Sequence, residues 1–83
     1  MEIHNLRPAA GRNERAIFDV QIGPHLRLYS LTLKEGPDGR LRTFAPKAFG
    51  KHAASFHPEL AQQITNAAVA AINGGAARDS RAA

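Results

Sequence analysis

The run from Arg15 to Ile22 constrains this chain more than any other stretch. Ala16, Phe18, Val20 and Ile22 fall on one parity and Arg15, Asp19 and Gln21 on the other, the period-2 pattern of a half-buried antiparallel strand. Gly23-Pro24 interrupts it, and His25 to Lys34 (HLRLYSLTLK) is expected to return beside it. In that second strand the alternation slips: Leu26 and Leu28 share one parity, Leu31 and Leu33 the other. A bulge or sharp bend near Tyr29-Ser30 would bring both pairs to apolar surroundings. The other option is that the two halves contact different layers, one of them a partner subunit.

The flanking segments complete a small sheet. Residues 2–7, EIHNLR, contain Ile3 and Leu6 without clean alternation and precede Pro8, which suits an edge strand, and 8–14 has the composition of a loop. EGPDG at 35–39 predicts a turn, and 40–45 is expected to form the next strand, with Arg40, Arg42 and Phe44 on one face and Leu41, Thr43 and Ala45 on the other. Pro46 ends that strand. The stretch 47–56, KAFGKHAASF, has neither period and is expected to be an ordered but irregular loop tied down by Phe49 and Phe56.

A helix is expected to start at His57-Pro58, since proline suits the first helical position and holds His57 in the extended geometry of a cap. Glu59 then lies in the first turn, where the helix dipole favours an acid. Leu60, Ile64, Ala67, Ala68, Ala71 and Ile72 form its inward stripe. Gly74 suits a stop, and GGAARDSRAA (74–83) lacks the apolar bulk to fold. The expected architecture is α+β: a small antiparallel sheet of about four strands with one C-terminal helix packed on it, a single domain over 1–73 and a disordered tail over 74–83.

Charge gives the functional direction. Between Arg40 and Pro58 stand Arg40, Arg42, Lys47 and Lys51 and no Asp or Glu, while basic and acidic residues cancel elsewhere, so the formal net charge of +4 resides in this one segment. A one-signed patch concentrates opposite charge and gives salt-dependent affinity, which points to a polyanion. Arg40, Arg42, Lys47 and Lys51 are therefore candidate phosphate contacts, with Arg27 on the neighbouring strand as a fifth. His57 joins them at the helix N-terminus, where free N–H groups favour anions. Aromatic side chains are few for base stacking: Tyr29 and Phe44 are placed to face solvent, and Phe18, Phe49 and Phe56 are read as core.

Other chemistries find little support. With no cysteine there is no disulfide, thiolate metal site or cysteine nucleophile. His4, His25, His52 and His57 match no metal spacing, and no phosphate loop or nucleophile elbow is present, so neither cofactor nor enzymatic activity is expected. Asp19 and Glu59 have ordinary readings, as sheet-surface and first-turn residues. The N-terminus has neither the charge pattern nor the apolar run of a leader or anchor, and the longest apolar-leaning stretch, near 67–72, is too short for a membrane span, so a soluble cytoplasmic protein is expected.

The order of parts resembles the SpoVG family of small bacterial proteins. The likeness rests on Arg15-Ala16 opening the first strand, Gly39, Leu41 and Pro46 spaced before a basic loop that starts at Lys47, and His57-Pro58 opening an Ala-rich helix that contains Ile64. The resemblance spans about residues 2 to 73 and implies a homodimer that binds DNA, or RNA, to regulate gene expression. By position it assigns Lys47, Lys51 and His57 to the basic loop and helix start; Arg40 and Arg42 come from charge alone. The loop here is poorer in Lys and Arg than the family's. The competing expectation is a protein-interaction module, in which the helix and an irregular strand dock on another chain and the cations only keep the protein soluble.

Overall fold

A computed structural model describes residues 1–48 and 50–82, with side chains described as far as Gly74 in the C-terminal helix. Four strands, β1 (Glu2–Pro8), β2 (Glu14–Ile22), β3 (Leu26–Glu35) and β4 (Leu41–Phe44), form an antiparallel sheet in chain order. Two short strands, β5 (Lys47–Ala48) and β6 (Lys51–His52), pair separately, and helix α1 spans Pro58–Ala82. The helix packs on one sheet face, touching β4 and β1. This is the α+β arrangement that the alternation and the single helical stripe predict.

Phe18, Val20, Leu31, Leu33 and Ile64 are fully buried between sheet and helix, with Ala16, Ala45 and Ala68 beside them. Complete burial of side chains of this size stabilises by roughly 1.5–3 kcal/mol each. Ala68 on α1 lets the helix backbone approach the sheet closely, as the small residues of the stripe predict.

Both parity slips in the sequence are resolved by bulges. In β3, Phe18 pairs with Leu31 and Val20 with Leu28, so Tyr29 and Ser30 together oppose Asp19. In β1, His4 pairs with Asp19 and Arg7 with Ile17, so Asn5 and Leu6 together oppose Phe18. Ser30 (φ 58°) and Asn5 (φ 53°) are the non-glycine residues with left-handed backbone. The extra residue in β3 turns Leu31 and Leu33 inward with Leu28, and the one in β1 does the same for Leu6 and Ile3. Leu26, on the same side as Leu28, stays 47% exposed, so three of the four β3 leucines reach apolar surroundings, not all four.

Two expectations need correction. The stretch after Pro46 is not an irregular loop, because β5 and β6 form a small hairpin, with Lys47 opposite His52 and Ala48 opposite Lys51. Gly50 at its tip takes φ 78°, a conformation that a side chain would strain. Phe49, expected to tie this segment down, lies outside the described residues, whereas Phe56 does pack against the core. The helix also continues past Gly74. Over 75–82, part of the tail expected over 74–83, the backbone alone is described, as helix; the side chains beyond Gly74, and Ala83, lie outside the described residues.

Candidate nucleic-acid interface

Turn chemistry sets the geometry of the basic end of the sheet. Gly36 to Gly39 close a β-turn through the Gly39 N–H and the Gly36 carbonyl (2.9 Å), with Pro37 and Asp38 at the corners. This centres the hairpin on Asp38 and places Lys34 opposite Arg42, and Thr32 opposite Phe44, on the face away from the helix. Lys34 Nζ lies 5.3 Å from the centroid of the Phe44 ring, within cation–π range. Phe44 also stacks with the His52 imidazole, with centroids 5.9 Å apart and planes at 26°. His52 is held in turn through its Nδ1 and the Ala45 carbonyl, 2.9 Å apart, which ties the β5–β6 hairpin back to the end of β4.

The structure thus gathers Lys34, Arg42, Phe44 and His52 at one sheet end, and the exposed Lys47 and Lys51 on the hairpin that leaves it. Among the described residues the hairpin is tied to the sheet through His52, and its two lysines are exposed.

Other predicted site residues are placed differently. Arg42 is not a free cation: its Nη2 donates to Asp38 Oδ2 at 3.0 Å. Asp38 also accepts from the Arg40 backbone N–H at 3.1 Å, and that bond, with the Arg42 guanidinium, holds its carboxyl below the ordinary value. Asp38 lies just before the acid-free segment, and the turn folds its charge back over that segment. Arg40 is exposed on the approach to β4. Arg27 lies at the other end of β3, with its Nε donating to Gln21 Oε1 at 2.9 Å. Seven residues at about 3.3 Å each separate it from Lys34, so it is not part of the cluster.

His57 caps α1. Its carbonyl accepts the Ala61 N–H (2.9 Å), and its Nδ1 accepts the Glu59 N–H (3.2 Å), satisfying one of the free donors of the first turn. Pro58 and Ala61 from this first turn line a groove of ≈ 300 Å³ with Leu41, Arg42, Thr43 and Phe44, which sets the positive end of the helix dipole beside β4. Behind the groove the Thr43 and Thr65 hydroxyls, 2.8 Å apart and buried, join β4 to α1.

Sequence reasoning missed Lys34 and the role of His52. The signal for Lys34 was present: a hairpin centred on Asp38 pairs position 34 with 42. Nothing in KAFGKHAASF signals that His52 stacks on Phe44, because that contact needs the β5–β6 hairpin. Among the described residues, no three or more of His, Asp and Glu come together as a metal site would require, and no helix is long and apolar enough to cross a membrane.

Comparison of the chain with family models, with curated proteins and with solved structures finds no match.

Proposed function

We propose that this chain is a small nucleic-acid-binding regulatory protein that acts as a homodimer and contacts its ligand through the β4 end of the sheet and the β5–β6 hairpin. The observation that carries the reading is the stacked Phe44–His52 pair bordered by Lys34 and Arg42, with the exposed Lys47 and Lys51 on the hairpin beside it. Cations alone would suit any polyanion. Cations around a stacked pair of rings suit nucleic acid in particular, because phosphates take the charge while bases take the π-faces, at about 1–3 kcal/mol per stacked base. The element order that resembles SpoVG proteins favours the same reading.

In this reading Lys47, Lys51 and Lys34 neutralise phosphates, and Arg40 extends the track. Arg42 is oriented by Asp38 and contributes less net charge than its position suggests. His57 contributes through the helix start that it caps. Arg27 contacts only a ligand that runs the full length of the sheet.

The test is fluorescence anisotropy with a labelled duplex and a labelled single strand at two salt concentrations. Binding that weakens with salt, at a slope near −0.9 per phosphate contact on duplex DNA, supports the proposal. No binding to either probe at low salt rejects it and favours the interaction module.

A further inference from the structure

The stacked rings of Phe44 and His52 do more than join the hairpin to the sheet. His52 is exposed, and its imidazole rests on Phe44 by one face, with centroids 5.9 Å apart and planes at 26°, so the ring turns its other face to solvent. Its Nδ1 lies 2.9 Å from the Ala45 carbonyl, and since a carbonyl only accepts, Nδ1 carries a proton and donates it. Stack and hydrogen bond hold the ring at two points, so its free face is set in place before any ligand arrives.

The register of the hairpin decides which cations border that face. Lys47 is directly opposite His52, and opposed residues of antiparallel strands project on the same side, with Cβ atoms about 4.5–5.5 Å apart. Lys51, next to His52 in sequence, projects on the other side with Ala48. Lys34 borders the stack from the sheet, its Nζ 5.3 Å from the Phe44 centroid. Neighbour by neighbour the row reads Lys34, Phe44, His52, Lys47: a cation, two rings and a cation.

We infer that this row is a seat for single-stranded nucleic acid, with one unpaired base stacked on the outer face of His52 and the phosphates on either side of it taken by Lys34 and Lys47. The inference rests on the nucleic-acid reading above and names the form of ligand that the same surface takes. In a duplex each base is covered on both faces by its neighbours and shows only its edges in the grooves, so its face is reached only by unstacking. An unpaired strand offers base faces without that cost. Helix α1, the one element long enough to fill a major groove, packs on the sheet face away from Lys34 and Phe44. A duplex would therefore meet the cations and leave the ring unused.

The test is fluorescence anisotropy on the full chain with three labelled probes: a single strand, the corresponding duplex, and an abasic strand of the same length, which keeps the phosphates and lacks the bases. Wild type is expected to bind the single strand at least tenfold more tightly than the other two. His52→Phe keeps a ring without the Nδ1 donor and should retain that affinity. His52→Asn keeps a side-chain N–H for the Ala45 carbonyl without a ring; it should lose about tenfold on the single strand, with duplex affinity and salt slope unchanged. Because His52 is exposed, both variants are expected to fold, and circular dichroism checks it.

Equal binding of the single strand and either other probe overturns the inference. So does a His52→Asn variant that binds as wild type does, or a His52→Phe variant that loses as much as His52→Asn, since the ring would then act only as a tie. These results leave charge-driven nucleic-acid binding standing, whereas no binding to any probe at low salt rejects both readings.

Discussion

Asp19 accepts the backbone N–H of Ser30 on its Oδ1, 2.9 Å away, at the place where β3 changes which side chains it turns inward. Its other oxygen, Oδ2, accepts the Asn5 side-chain amide at 2.8 Å. One carboxylate, 4% exposed, therefore holds both bulges of the sheet, and both of its partners are the left-handed residues that make those bulges possible. The register of β1 and β3 relative to β2, and with it the inward placement of Leu6, Leu31 and Leu33, depends on this group.

If the left-handed geometry at Ser30 is required, substitutions there separate by backbone preference. A left-handed residue with a side chain costs roughly 1–2 kcal/mol, which glycine avoids at an entropic cost of about 0.5–1 kcal/mol. Ser30→Gly is expected to be neutral or slightly stabilising in urea denaturation, and Ser30→Val clearly destabilising. Equal stability of the two variants would place the bulge elsewhere.

Replacing Asp19 leaves the Ser30 N–H and the Asn5 amide without their acceptor, at about 1–3 kcal/mol for each group that stays buried. The effect carries a pH signature. Hydrogen bonds from Asn5 and Ser30, and more weakly Arg7 and Arg27, hold the Asp19 carboxyl below its ordinary value of 3.8, against the opposing effect of burial. A depressed folded value means that the stabilisation is complete above 3.8 and is lost as pH falls through the folded value. The urea midpoints of wild type and Asp19→Asn should therefore differ at pH 7 and converge in acid below that range. A difference that persists undiminished at low pH would mean that the charge plays no part.

The Thr43–Thr65 hydroxyl pair predicts a non-additive cycle. Thr65→Val strands the buried Thr43 hydroxyl and is expected to cost about 1–3 kcal/mol, whereas Thr43→Val/Thr65→Val removes both polar groups and should recover most of the loss. Thermal unfolding of the two single variants and the double variant measures the coupling, and simple additivity would count against the bond.

The sequence showed much of this. The strand pattern of 15–22, the turn at 35–39, the His57 cap and even the bulge near Tyr29-Ser30 follow from parity, proline and glycine. Asp19 was misjudged, because period-2 reasoning puts a carboxylate at that position on a solvated face. Only the two bulges, which present donors beside it, give a reason for its burial. Thr65 carried no signal of its own: it borders the apolar stripe, and its burial goes with the facing Thr43 hydroxyl. The β5–β6 hairpin escaped detection because two-residue strands carry no periodic signal, though Gly50 marks its turn. The basic segment was legible as charge, but its organisation was not, since the Asp38–Arg42 pair and the Lys34–Phe44–His52 contacts form only once the hairpins close.

The most decisive measurement is the salt dependence of anisotropy binding for wild type beside Lys47→Glu/Lys51→Glu. Both lysines are exposed on the β5–β6 hairpin, so the variant should keep the wild-type unfolding transition. The account predicts salt-sensitive binding by wild type and its abolition in the variant. Wild-type affinity for DNA in the double variant would contradict the assignment of this surface, and absence of binding by wild type at low salt would contradict the function itself.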